Sequence, residues 1–217
     1  MTKQLPPLPT GTARRKLLLG IVAAAALPML QACFPVVATG VGAGAAMVSD
    51  RRTSGTYVED EAIEWKSGSR ISEHFGSNTH VNVTSFNRNA LLTGEVPNDN
   101  TRAEVERLVA GVANVKGIVN ELVVGPTSSL TARGNDTLIT SNVKARMVDS
   151  QNVPAHNVKV VTEVNVVYLM GLVTRAEADA AAEVARTSQG VRKVVRVFEY
   201  ISDEEARRLD NPTGANR

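Results

Sequence analysis

The chain has a single cysteine, and this scarcity excludes several kinds of chemistry. One thiol among 217 residues cannot close a disulfide within the chain, and it cannot build a zinc site that needs two or more cysteines. In an oxidising compartment a free thiol would also be open to pairing with another chain unless it carries a covalent modification. We therefore expect Cys33 to be modified if the protein leaves the cytoplasm.

The chain also has few aromatic residues and only a small net charge. Aromatic residues make up 4% of the chain, and its 24 Lys and Arg residues exceed its 22 Asp and Glu residues by two. Four basic residues and no acidic ones precede Cys33, so taking those four from 24 leaves 20 basic residues against 22 acidic ones. A chain without this segment is slightly acidic, which argues against a general nucleic-acid binder.

Sequence signatures of catalysis and of metal binding are missing as well. The histidines His74, His80 and His156 fall at a predicted helix end, a strand and a turn, without the spacing of metal ligands. No nucleophile elbow, phosphate-binding loop or dinucleotide fingerprint occurs in the chain. The sequence therefore predicts a protein that is not an enzyme and has no metal site, with His80 facing solvent. Trp65 is expected to pack at the edge of the core, beside Ile63.

What is present begins with a secretory signal at the N-terminus. Basic residues 14–16 precede an apolar run over residues 17–30, and Leu-Gln-Ala-Cys follows, ending at Cys33. This stretch resembles a lipobox, which implies cleavage of a signal peptide, residues 1–32, and attachment of diacylglycerol to the Cys33 thiol. An N-acyl chain on the freed amine makes such an anchor stable, because each buried methylene contributes about 0.8 kcal/mol.

An alternative interpretation is that the apolar N-terminal segment is retained. Residues 17–49 carry no charge and are long enough to span a bilayer as a helix. Pro28 and the glycines at positions 40, 42 and 44 make this segment a poor single helix. The lipoprotein interpretation is therefore favoured.

Beyond a Gly- and Ala-rich tether over residues 33–59, one pattern occurs twice. Anchor residues of the first copy, residues 60–125, recur 76 or 77 positions later in the second copy, residues 126–202. Each copy predicts a helix, two strands in a hairpin, a second helix and a third strand. We expect an α+β fold of two αββαβ units, each with a three-stranded sheet packed against two helices. The matched anchors include Ile63 with Ile139, Ile71 with Met147, Val81 with Val158, Leu92 with Leu169, and Gly94 with Gly171.

Each copy is small, so we expect the two copies to pack on each other. Their order of elements resembles the BON domain family. The motifs that carry the resemblance are Asn-Asp-Thr-Leu-Ile-Thr at residues 135–140, which is expected to open the first helix of the second copy, and Val-Tyr-Leu-Met-Gly-Leu-Val at residues 167–173. The leader Asp-Arg-Arg-Thr-Ser-Gly at residues 50–55 is similar to that of the dual-BON outer-membrane lipoproteins.

The resemblance implies two tandem BON domains in a non-enzymatic lipoprotein of the outer membrane that faces the periplasm. Such proteins bind anionic phospholipid through the second domain, support envelope integrity and gather at division sites. Phe34, directly after the cysteine, resembles a sorting pattern that favours the outer membrane. The charge balance argues against a nucleic-acid partner, and no cofactor is expected besides the acyl groups on Cys33. The tail, residues 203–217, is charged and then rich in Asn, Pro and Gly, and is expected to be disordered.

The first helix of the second copy has an apolar patch opposite its core side. At 100° per residue, Ile139, Val143 and Met147 share the core side, and a basic residue borders the opposite patch. Apolar side chains beside a cation suit shallow contact with lipid headgroups. The predicted phospholipid contacts are Leu138, Ser141, Lys144 and Val148.

The difference in net charge between the two copies also favours lipid contact by the second copy. Residues 127–201 hold nine Lys and Arg against seven Asp and Glu, whereas residues 60–125 hold six against nine. An anionic membrane would therefore attract the second copy. Two alternatives stay open: the patch packs against the first copy, or the protein is an adaptor that binds envelope-assembly proteins or regulators of cell-wall hydrolases.

Overall fold

The structure is a computed structural model that describes residues 50–211, all within one compact unit. The predicted signal peptide, Cys33 and most of the tether lie outside the described residues, as does the end of the tail, residues 212–217. Within residues 50–211, no helix has the length and apolar character needed to cross a membrane.

The described residues form the same series of elements twice. The first copy consists of α1 (Ser54–Phe75), β1 (His80–Phe86), β2 (Asn89–Val96), α2 (Asp99–Ala110), β3 (Gly117–Asn120) and β4 (Val123–Val124). The second copy consists of α3 (Leu130–Asp149), β5 (Val158–Glu163), β6 (Val166–Val173), α4 (Arg175–Arg186) and β7 (Lys193–Tyr200), followed by α5 (Asp203–Asp210). The predicted α+β class and the αββαβ order are confirmed.

Each copy has a sheet with an antiparallel hairpin and a parallel third strand. β2 pairs antiparallel with β1 and parallel with β3 and β4, and β6 pairs antiparallel with β5 and parallel with β7. The first sheet thus differs from the expected three strands, because its third strand is split in two. The side chain of Asn120 accepts a hydrogen bond from the backbone N–H of Leu122 at the break, where Leu122 is buried in the core.

The helices of each copy cover one face of its sheet. Ile63 and Ile71 of α1 pack with Leu92 in the first copy, and Ile139 and Met147 of α3 pack in the core of the second copy. These residues recur at helical spacing, so a single stripe of each helix is buried. The apolar periodicity of the sequence therefore identifies the core side of both first helices.

A buried aspartate ties the first helix of each copy to the hairpin that follows. The carboxylate of Asp60 accepts hydrogen bonds from the backbone N–H groups of Asn87 and Arg88. Asp136, 76 positions later, accepts the equivalent bonds from Val164 and Asn165. All four turn residues have positive φ, as a two-residue hairpin turn of this type requires. The repeat therefore extends to a pair of polar core residues.

The opposite faces of the two sheets pack against each other. Phe86 and Leu91 of the first sheet share one buried cluster with Tyr168, Met170 and Leu172 of the second sheet. Burial in this interface raises the pKa of Tyr168 to about 12. The two copies therefore share a hydrophobic interface, as the small size of each copy predicts.

The expectation of a wholly disordered tail is wrong for residues 203–210, which form α5. The Ser202 hydroxyl caps the helix by accepting a hydrogen bond from the N–H of Glu205. Acidic residues fill the first turn and Arg207 and Arg208 lie in the last turn, which suits the helix dipole at both ends. Composition alone did not predict this helix, because a highly charged segment can still form a helix when its ends are capped.

The expectation for Trp65 is also wrong, because its side chain is 72% exposed. Two residues along a helix turn the side chain by about 200°, so Trp65 faces away from the buried Ile63. The closeness of Trp65 to Ile63 in the sequence therefore did not predict which of the two side chains is buried.

Candidate membrane-contact site

α3 begins earlier than the sequence suggests and presents a long outer face. It starts at Leu130, and Ser129 caps it by accepting a hydrogen bond from the N–H of Ala132. At 1.5 Å per residue, its 20 residues span about 30 Å. Its core side is held by Ile139, Val143 and Met147, as predicted.

The four predicted phospholipid contacts lie on the outer face of α3. Leu138 and Val148 are 71% and 72% exposed, and Ser141 and Lys144 are also accessible at the surface. The Ser141 hydroxyl donates a hydrogen bond to the Thr137 carbonyl, so it is satisfied within the helix. For Leu138 and Val148, this exposure contradicts the alternative that the patch packs against the first copy.

Leu130 belongs to the same face and was missed in the sequence. It is 83% exposed, and it lies 18 residues before Val148, a separation that returns to the same angle around a helix. The omission followed from placing the helix start near residue 135. The Ser-Ser pair at residues 128–129 is the cap signal that would have revealed the earlier start.

Basic side chains border one side of this apolar stripe. Arg133 and Lys144 lie 11 residues apart, which places them at nearly the same angle around α3. Both line a groove of about 560 Å³ that runs between α3 and β1. The hydroxyl groups of Thr137 and Ser141 also line this groove, and both donate to carbonyls of α3 itself, to Arg133 and Thr137 respectively.

The sequence matches the BON domain model twice, over residues 59–126 and 135–202. The chain belongs to the BON domain family. The two matches cover β1 to β4 with most of α1, and β5 to β7 with most of α3, so each copy is one BON domain. The exposed stripe therefore lies on the first helix of the second BON domain.

Relatives of this BON protein cover most of its length. It is 36% identical over 174 residues to outer membrane lipoprotein DolP of Haemophilus influenzae, a match to 79% of this chain and 90% of that protein. It is 35% identical to the 21 kDa hemolysin of Actinobacillus pleuropneumoniae, covering 70% and 79% of the two chains. Identity to osmotically-inducible protein Y of Escherichia coli is 29%, covering 72% and 80%. The chain is thus a dual-BON lipoprotein family member, and the similarity to DolP supports a place in the cell envelope.

The two consecutive arginines of the leader, Arg51 and Arg52, form their contacts with different BON domains. Arg51 is buried against the second domain, where it donates hydrogen bonds to the carboxylates of Glu177 and Asp210 at 2.8 Å and to the Leu172 carbonyl. Arg52 instead donates to Asp60 of the first domain and lies over the Phe86 ring, 4.1 Å from its centroid. The leader therefore bridges the two domains.

The Arg51 contacts shift the pKa values of both carboxylates downward. Burial alone would raise the pKa of Glu177, but the hydrogen bonds from Arg51 and from the Thr174 N–H outweigh it. The hydrogen bond from Arg51 is the main reason that the pKa of Asp210 lies below its usual value. Both carboxylates are thus held in the charged form that pairs with the guanidinium.

The start of the described chain lies near the end of the α3 stripe. Asp50 and Arg52 line a groove of about 540 Å³ together with Lys144, Val148 and His156. The leader therefore leaves the folded domains beside the residues predicted to meet lipid. This proximity depends on the fold, since Asp50 and Val148 are far apart in the sequence.

A polar cluster lies at one end of the interface between the two sheets. His80 pairs with Glu95 across β1 and β2, and the Nε2 atom of His80 is 3.6 Å from Oε1 of Glu163 on β5. The expectation that His80 faces solvent is wrong, since its side chain is 17% exposed and faces the second domain. Burial raises the pKa of Glu163, and the Glu95 and Asp136 carboxylates add to this, while the Asn82 hydrogen bond and His80 oppose it.

Proposed function

We propose that this protein is a non-enzymatic outer-membrane lipoprotein, anchored through acylated Cys33 and facing the periplasm. Its second BON domain binds anionic phospholipid through α3, and this binding supports envelope integrity. The observation that carries the proposal is the exposed apolar stripe of α3 with basic residues along one border. Such a face suits the headgroup region, because apolar side chains enter the acyl boundary while cations meet phosphate.

The path of the leader supports the same orientation. Asp50 lies beside the C-terminal end of the stripe, 17 positions after Cys33 in the sequence. That stretch reaches at most about 60 Å when fully extended, so an anchored Cys33 keeps α3 within that distance of the membrane. Tethering raises the effective lipid concentration at α3, and weak intrinsic affinity is then sufficient.

The names of the relatives support the envelope part of the proposal. DolP of Haemophilus influenzae is named an outer membrane lipoprotein, and the lipobox at Cys33 fits the same class. These names do not support the other two parts of the proposal, the preference for anionic phospholipid and the place where it binds. Those parts depend on the exposed face of α3 alone.

Vesicle binding tests the proposal directly. A form lacking residues 1–33 is mixed with phosphatidylglycerol vesicles or with phosphatidylcholine vesicles and sedimented. We expect binding to the anionic vesicles only, and Leu138→Glu or Lys144→Glu to weaken it by about tenfold, the factor that 1.4 kcal/mol produces. Circular dichroism checks that each variant stays folded.

Val58→Glu is a matched control. Val58 is an exposed apolar residue on α1, outside the proposed contact face, so its replacement changes the charge equally. Equal weakening by Val58→Glu and Leu138→Glu would indicate a general charge effect and contradict α3 as the contact site.

A second candidate function is an adaptor that binds envelope proteins. Val58 and Trp65 are both strongly exposed on α1 of the first BON domain, seven residues apart and hence on one face. Exposed tryptophan is typical of residues that dominate binding energy at protein interfaces. Sedimentation with neither kind of vesicle would favour this candidate over phospholipid binding.

A further inference from the structure

Three side chains with metal-binding atoms meet between the two BON domains. One atom from each of His80, Glu95 and Glu163 lies within 4.8 Å of the others. His80 and Glu95 come from directly opposed positions on β1 and β2, and Glu163 comes from the last position of β5. The sequence did not predict this cluster, because its members lie on three strands of two domains.

The cluster is buried and rich in negative charge. Glu95 is 5% exposed and Glu163 is 7% exposed. The Glu95 and Asp136 carboxylates both act on the charge of Glu163, and His80 is the basic group that opposes them. Carboxylates placed this close in a buried site are costly unless a cation or a proton neutralises them.

A second, independent observation is an unpartnered hydroxyl beside the cluster. Thr93 lies two residues before Glu95 on the same face of β2, and it is opposite Asn82 in the β1–β2 pair. Its Oγ1 atom is buried and, within residues 50–211, has no hydrogen-bond partner. Buried polar atoms in folded proteins are nearly always paired with protein or ordered solvent. A polar occupant between the two sheets near Glu95 would supply the partner that the Thr93 hydroxyl lacks among the described residues.

We propose that His80, Glu95 and Glu163 bind one divalent transition-metal ion, with Zn²⁺ as the best fit. Imidazole nitrogen and carboxylate oxygen are common zinc ligands, whereas Mg²⁺ and Ca²⁺ take oxygen ligands almost exclusively. Zinc ligands lie about 2.0–2.2 Å from the ion, so the side chains must close by about 1 Å around it. Rotamer adjustment of two glutamates supplies such a movement.

The groove beside α3 gives the ion a path to the site. His80 and Glu163 both line this groove, which is open to solvent. Because Glu163 belongs to the second domain and the other two ligands to the first, the ion links the two domains. Binding therefore stabilises their association.

Metal titration of the full chain in detergent tests this proposal, in a Cys33→Ser background that removes the only thiol. The protein is first stripped with EDTA, and Zn²⁺ is then added during calorimetric titration and thermal unfolding. We expect one ion per chain, and a rise in Tm of about 5–10 °C at a Zn²⁺ concentration about a hundredfold above Kd. Co²⁺ substitution should give the visible absorption of a site with nitrogen and oxygen ligands.

Glu95→Gln and Glu163→Gln keep the shape of the side chains and should abolish the rise in Tm. Their Tm without metal should equal or exceed that of the parent, which shows that they fold. The control is Glu104→Gln, which removes the carboxylate of the exposed His74–Glu104 pair and should leave Zn²⁺ binding unchanged. Absence of binding by the stripped parent protein, or binding that persists in both the Glu95 and Glu163 variants, would overturn the proposal.

Discussion

At the scale of single residues, the structure gives a steric reason for the two glycines that match in the sequence repeat. Gly94 and Gly171 lie in the second strand of each copy and match in the sequence repeat. A Cβ atom at Gly171 would overlap the backbone carbonyl oxygen of Asn157, and one at Gly94 would overlap that of His80. The chain at the start of β1 and just before β5 therefore crosses these positions too closely for any side chain.

Gly171→Ala should destabilise the protein by about 1–3 kcal/mol, because the added methyl group forces the backbone to move. Gly68→Ala is the matched control: a methyl group at this helical glycine would meet no heavy atom within 4 Å, so alanine there should stabilise by about 0.5–1 kcal/mol. Urea unfolding followed by circular dichroism measures both changes. Similar effects of the two substitutions would contradict the steric explanation.

Polar residues with tertiary roles were harder to predict than the glycines. Asp60 and Asp136 are buried because each satisfies a hairpin turn, and nothing local in the sequence marks that contact. His80 likewise acquires its surroundings from a strand of the other domain. Spacing along the chain detects ligands that share a helix or loop, and these residues share neither.

At the scale of elements, periodicity predicted the type and order of helices and strands and their core residues. Ile63 and Ile139 are buried as expected, and the apolar patch of α3 is exposed as expected. Helix ends were less predictable, since α3 starts at Leu130 and α5 was missed. Those ends depend on caps, Ser129 and Ser202, whose signals are short and easily overlooked.

The start of α3 at Leu130 leads to a specific prediction about the proposed lipid-contact face. Leu130→Glu should weaken binding to phosphatidylglycerol vesicles by an amount similar to Leu138→Glu, about tenfold, because both leucines lie on the exposed stripe. Sedimentation with vesicles of graded phosphatidylglycerol content measures the affinities. If Leu130→Glu binds like the parent protein, the contact is confined to the middle and end of the helix.

At the scale of the whole molecule, the arrangement of the two BON domains could not be read from either domain alone. Each sequence copy predicts its own core, but Phe86 and Met170 meet only when the two sheets pack face to face. The leader adds a second link, since Arg51 and Arg52 bind opposite domains. The sequence repeat does not cover the leader, so neither arginine had a predicted contact.

Arg51→Gln should lower the free energy of unfolding at pH 7 by about 1–3 kcal/mol. Removing one partner of a buried ion pair costs about 3–5 kcal/mol, and the partial exposure of Glu177 and Asp210 reduces this value. Urea unfolding measures the change. Arg186→Gln, which removes the exposed Arg186–Glu183 pair, is the control and should have little effect.

The difference between Arg51→Gln and the parent should depend on pH in a defined direction. The folded pKa values of Glu177 and Asp210 lie below the ordinary values of 4.5 and 3.8, so their pairing with Arg51 stabilises the protein at higher pH. That contribution is lost as pH falls below these values and through the lower pKa values of the folded state. A difference that stays constant from pH 7 to pH 3 would show that ion pairing is not its source.

The bridge made by the leader also decides how the protein responds to mechanical tension. If Cys33 is lipid-anchored as proposed, a pull from the membrane enters the described structure at Asp50 and reaches Arg51 before it reaches α1. Arg51 passes that force to α4 and α5 of the second domain through Glu177 and Asp210, and Arg52 passes it to the first domain through Asp60. Under the proposed anchoring, such a pull is shared between both domains, since Arg52 loads α1 through Asp60 while Arg51 loads the second domain.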